Sequence, residues 1–130
     1  MQLIHRHYDR FRFLSFVAWC MVWLALIWAI VDPLPKSIPL VSDKLIHFTS
    51  FFAISLASVT FCRSAWQLGL ATAFCAVAAV LLEVTHYVIP QRSFELADMA
   101  ANLLGTATGT LIALLLLRMV QRRLTPEAAR

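Results

Sequence analysis

The chain has 130 residues, 61% of them hydrophobic and 14% charged, with a mean hydropathy of +0.77. A soluble domain is about 45–50% apolar and about 25% charged, and a chain this short cannot hide so much apolar surface in one water-facing core, so a bilayer is the simplest solvent for it. The net charge of +4 would suit a nucleic-acid partner, but the basic residues gather at the two ends (Arg6, Arg10, Arg12; then Arg118, Arg122, Arg123, Arg130) without any RNA- or DNA-binding motif, and no nucleic acid is expected.

In chain order, a basic segment, 1–12, precedes a first apolar run over 13–31. That run is too long for a signal-peptide core, and "WAIVDP" offers Val where a small residue is preferred for cleavage, so it reads as a retained helix. "DPLPKSIPLVSD" (32–43) is proline-rich and cannot continue it. Further apolar runs cover 45–62, 68–89 and 96–117, each near the ~20 residues that cross hydrocarbon as a helix. The second is the shortest and carries Ser50 and Ser55. "RSAWQ" (63–67) and "PQRSFE" (90–95) are tight links, the latter offering Ser93 as a helix N-cap. Short links make neighbours antiparallel, so the expected fold is an all-α integral membrane bundle of four antiparallel transmembrane helices over 13–118, with a basic tail at 119–130. Lys/Arg asymmetry places both termini in the cytoplasm and the 32–43 and 90–95 connections outside.

Two clusters then reach the same outer end. "DKLIHF" (43–48) opens the second helix; Glu83 and His86 lie at the end of the third; Arg92 is in the link; Asp98 and Asn102 begin the fourth. At 100° per residue, Asp98, Asn102, Gly105 and Gly109 share one stripe, and Gly105 and Gly109 form GxxxG, a helix-packing motif that lets backbones approach. Thr72, Ala76, Ala79 and Glu83 share a face of the third helix, and Asp43, His47 and Ser50 one of the second. Ionisable groups inside membrane segments cost about 2.5–3.5 kcal/mol each at a helix centre and mark functional sites by default. The competing reading is a set of interhelical clasps that specify packing.

These residues resemble the VanZ-like family of small bacterial membrane proteins. "DKLIHF", followed after about 35 residues by "EVTHYVIPQRSFELADMAANLLGTATG", is similar to the family pattern at Asp43, Lys44, His47, Glu83, Arg92, Asp98, Asn102 and Gly105. One departure is His86, where the family commonly has Gln. The resemblance implies a cell-envelope role in the bacterial cytoplasmic (inner) membrane, the namesake being associated with resistance to the glycopeptide antibiotic teicoplanin. It implies no settled reaction.

The leading expectation is an outward-facing polar pocket of Asp43, Lys44, His47, Glu83, His86, Arg92, Asp98 and Asn102 that binds an anionic lipid or lipid-linked envelope intermediate. Arg92 would clamp phosphate and Lys44 would add a second cation. The alternatives are a membrane-embedded hydrolase or transferase on such a lipid, with Glu83 or Asp98 and His47 as acid/base pair, and a non-catalytic subunit or homo-oligomer in an envelope complex. No catalytic residue is assigned, because no serine elbow or Cys–His signature is present. No cofactor is expected. Glu83-x-x-His86 with His47 and Asp98 has metal-ligand residue types, but one such tetrapeptide is weak and no metal is expected. Cys20, Cys62 and Cys75 lack metal or redox spacing and read as small hydrophobes.

Overall fold

The computed structural model describes residues 2–31, 43–89 and 94–124. The described chain is all-helical: α1 (Gln2–Val31), α2 (Asp43–Ala57), a 3-10 turn over Ser58–Thr60, α3 (Ala65–Thr85) and α4 (Leu96–Leu124). Among the described residues, three helices are long and apolar enough to cross a membrane, over Arg6–Trp28, Ala65–Thr85 and Leu96–Arg123. Their outer faces carry large exposed apolar side chains such as Phe13, Leu24, Leu81 and Leu104, which water would not tolerate in such number and lipid accepts.

Three boundaries differ from the sequence expectation. The basic segment 1–12 is not separate from the first apolar run, because α1 continues through it from Gln2; arginine is a good helix former and does not interrupt the helix. The second run yields only 15 α-helical residues before the 3-10 turn, about 22 Å at 1.5 Å per residue. Finally, α3 ends at Thr85 rather than running to 89. The N–H groups of His86, Tyr87 and Val88 turn back to Glu83 O, Val84 O and Thr85 O at 3.0–3.1 Å, a tightening expected shortly before Pro90.

Packing fixes the helix directions. Trp19 Nε1 donates to Ile54 O at 3.0 Å, and Trp23 meets Phe51 edge-on at 5.7 Å, so α1 runs antiparallel to α2. The Thr72 and Thr110 hydroxyls meet at 3.0 Å, and Glu83 meets Glu95, so α3 and α4 are antiparallel as well. Between α2 and α4, however, residue numbers rise together: His47 meets Asn102, Phe48 meets Gly105 and Phe52 meets Gly109. These two helices are parallel, and their N-termini lie at the same end.

The α2–α4 contact is made at backbone distance. A Cβ on Gly105 would lie 2.3 Å from Phe48 O, and one on Gly109 would lie 2.4 Å from Phe52 O. Above and below the glycines, the buried stripe of α4 continues through Asp98, Asn102, Thr106, Ala113 and Leu117. Replacing either glycine with alanine gains helix propensity of about 0.8–1 kcal/mol but sets a methyl against backbone that cannot yield, for which overpacking costs of about 1–3 kcal/mol are usual. Gly105→Ala and Gly109→Ala are expected to lower stability in detergent-micelle unfolding. Gly69→Ala, where nothing lies within 4 Å of the added carbon, leaves it unchanged or raises it.

Candidate functional site

The parallel α2–α4 pair and the antiparallel return of α3 bring seven of the eight sequence-selected polar residues to one end of the molecule. Lys44 Nζ lies 2.9 Å from Glu95 Oε2 and 3.3 Å from Asp98 Oδ1. The second approach is an ion-pair contact without hydrogen-bond geometry, so Asp98 Oδ1, although buried, has no hydrogen-bond partner among the described residues. His47 Nδ1 meets Asn102 Oδ1 at 3.1 Å; its Nε2 faces Asp43 Oδ1 at 3.8 Å and Asp98 Oδ2 at 3.9 Å. Glu83, wholly buried, and His86 stand on the α3 side, with Glu83 Oε1 3.3 Å from His86 Nδ1. Asp43 is at the rim, its side chain 70% exposed. Arg92 and Ser93 lie outside the described residues.

Glu95 joins the two halves. Its carbonyl accepts the Asp98 and Met99 N–H groups at 3.0 and 3.2 Å, making Glu95 the N-cap residue of α4. Its own N–H donates to Glu83 Oε1 at 2.8 Å, so the carboxylate of one helix satisfies the entry of the next. Its side chain reaches Lys44. Sequence reasoning left Glu95 out of the site. The available signal was its position three residues before Asp98 in a link already rich in charge.

Lys44 and Glu95 flank the apolar runs and shift each other's ionisation. The Glu95 carboxylate, and after it Asp98, raises Lys44 above the usual lysine value; the Lys44 ammonium holds Glu95 below the usual carboxylate range. Two different limits follow. The depressed Glu95 contributes stability above its unfolded-state pKa and loses it as pH falls through the folded one; the raised Lys44 contributes below its unfolded-state pKa and loses it as pH rises through the folded one.

A cavity of about 110 Å³ opens beside this network. His47, Ser50, Glu83, His86 and Asn102 line it together with apolar residues such as Phe51 and Leu82. Glu83 Oε2 and His86 Nε2, both buried, have no hydrogen-bond partner among the described residues. The four residues with metal-ligand types, Glu83, His86, His47 and Asp98, do not gather as one ligand set among the described side chains. Asp43, His47 and Asp98 instead place one ligand atom each within 4.8 Å of one another, with Lys44 competing for the same Asp98 carboxylate.

The far end has opposite character. Asp9 pairs with Arg63, Arg12 donates to Phe61 O, Gln121 donates to Arg63 O at 3.0 Å, and Arg122 and Arg123 occupy the last turn of α4. The molecule is thus a helical membrane protein with a basic end and, opposite it, a compact carboxylate–histidine–lysine site between three helices. The chain belongs to the VanZ/LLP1 family, whose profile matches residues 6–118. No curated protein and no solved structure matches it.

Replacing Glu95 with Gln removes the ion pair and retains the backbone cap. The thermal midpoint of Glu95→Gln is expected below that of the wild type by a constant margin from about pH 6 to 9, a range that lies between the two limits of linkage. The margin closes as acid protonates wild-type Glu95. A margin that persists unchanged at pH 3 would contradict the pairing.

Proposed function

We propose that this end of the molecule binds the phosphate of an anionic lipid or of a lipid-linked envelope intermediate. The observation that carries the reading is Lys44. Its ammonium is half-exposed between Glu95 and Asp98, where the parallel N-termini of α2 and α4 converge. Two helix N-termini present unsatisfied N–H groups and the positive ends of their dipoles, an arrangement that favours an anion. Glu95, itself 48% exposed at the side chain, is the partner that an incoming phosphate would displace. Arg92, three residues earlier in the chain, supplies the second cation and suits bidentate phosphate recognition.

In this reading α2 is the fourth crossing. Its 15 α-helical residues and the 3-10 turn together rise about 28 Å, close to the ~30 Å hydrocarbon thickness, and complete the antiparallel order α1, α2, α3, α4. The basic end, with Arg6, Arg10, Arg12, Arg63, Arg118, Arg122 and Arg123, then faces the cytoplasm with both termini. The site faces outward from the bacterial inner membrane, where envelope precursors lie. A contribution to glycopeptide resistance would act through such a lipid. Self-association and docking to an envelope complex remain compatible with the exposed apolar faces of α1 and α3.

The test is native mass spectrometry of protein extracted with membrane lipid. Loss of a charge-assisted hydrogen bond of about 1.5–3 kcal/mol corresponds to a tenfold or greater loss of affinity. Lys44→Ala and Arg92→Ala are each expected to weaken retention of phosphate-bearing lipid by about tenfold or more. Full retention in both variants, with normal insertion, would overturn the reading.

A further inference from the structure

The cavity behind Lys44 holds a second requirement that phosphate does not meet. Glu83 is fully buried, and Oε1 already accepts the Glu95 N–H, while Oε2 has no partner among the described residues. His86 turns Nδ1 toward that Oε1 at 3.3 Å. A proton on Nδ1 is the tautomer that makes this contact attractive, and it leaves Nε2 as a lone-pair acceptor. Nε2 is also buried and unpartnered. The two residues that carry these buried acceptors both border one cavity, and each acceptor carries a desolvation cost that a donor-bearing group would relieve.

Charge narrows the donor. Four carboxyl groups gather at this end, Glu95 and Asp98 on the Lys44 ammonium, Asp43 facing His47 and Glu83 facing His86, against that one ammonium among the described residues. A neutral hydroxyl would supply a donor without changing this imbalance; a cation supplies both. The unpartnered acceptors suit a primary ammonium better than a trimethylated one, which has no N–H to offer.

We propose that this cavity receives the primary ammonium of an aminophospholipid headgroup, with Glu83 Oε2 and His86 Nε2 as its acceptors and the adjoining phosphate at Lys44. The assignment rests on the headgroup reading above and specifies it. Glu95 links the two subsites, its backbone N–H on Glu83 and its side chain on Lys44. Ile46, half exposed at the cavity wall, and Leu26 beside it offer the lipid's glycerol and chain region an apolar approach. The lipid would neutralise the site from both sides: its phosphate replaces Glu95 on Lys44, and its ammonium engages the buried carboxyl.

The test uses the full chain in detergent, with phosphatidylethanolamine, its mono- and dimethylated forms, phosphatidylcholine and phosphatidylglycerol of identical acyl chains, read by native mass spectrometry and thermal shift. Phosphatidylethanolamine is expected to bind at least tenfold more tightly than phosphatidylcholine or phosphatidylglycerol, with affinity falling along the methylation series. Soluble phosphoethanolamine at equal concentration is expected not to displace it; displacement would overturn the assignment to a lipid. Glu83→Gln is expected to abolish the preference. The wild-type series decides the matter even if that variant does not fold. Equal binding of phosphatidylglycerol and phosphatidylethanolamine would overturn the ammonium assignment and leave phosphate binding intact. Binding of none of the lipids would overturn both.

Discussion

The site depends on what α4 lacks. With no side chain at Gly105 or Gly109, Phe48 O and Phe52 O of α2 approach the α4 backbone more closely than any Cβ would permit. Two carbonyls one turn apart, set against two glycines one turn apart, fix both the register and the parallel direction of the pair. Parallel direction puts the two N-termini together. Lys44 thereby meets Asp98, and His47 meets Asn102, each contact one turn closer to the glycines than the last.

A polar network of this kind is expensive in an apolar chain, and its stability comes from how many roles each group fills. Glu83 Oε1 caps the entry of α4 through the Glu95 N–H and faces His86; Glu95 joins that cap to Lys44. Removing one member would leave others buried without partners, which costs more than the net worth of the pair removed. Glu83 Oε2, His86 Nε2 and Asp98 Oδ1 lack hydrogen-bond partners among the described residues at this end; Arg12 Nε, Trp23 Nε1 and Ser55 Oγ, on α1 and α2, lack them too. Elsewhere between α3 and α4, as where Thr72 meets Thr110, the polar contact is closed.

Much of this was legible in the sequence for physical reasons. Apolar runs of spanning length announce membrane helices, and the 3.6-residue period places Asp98, Asn102, Gly105 and Gly109 on one stripe whatever the partner helix. The identity of that partner was not legible. GxxxG permits close approach without saying to which helix, and the contact with Phe48 and Phe52 depends on tertiary packing. Helix ends also escaped, since Arg6, Arg10 and Arg12 are compatible with a helix and α1 simply continues through them. The 3-10 turn at Ser58–Thr60 carries no glycine or proline that would have marked it. Glu95 looked like an exposed link residue; its backbone gives it its place, as N-cap of α4 and donor to Glu83, and side-chain chemistry alone does not reveal that.

The most direct measurement is oxidative cross-linking of His47→Cys with Asn102→Cys, with Cys20, Cys62 and Cys75 replaced by alanine, in native membranes. The parallel, glycine-mediated pairing of α2 and α4 requires these positions to face each other across a 3.1 Å contact. A rapid intramolecular disulfide is the expected result. Absence of that product, together with cross-linking of His47→Cys to Leu117→Cys at the opposite end of α4, would show that the helices run antiparallel and contradict the account of how the site is assembled.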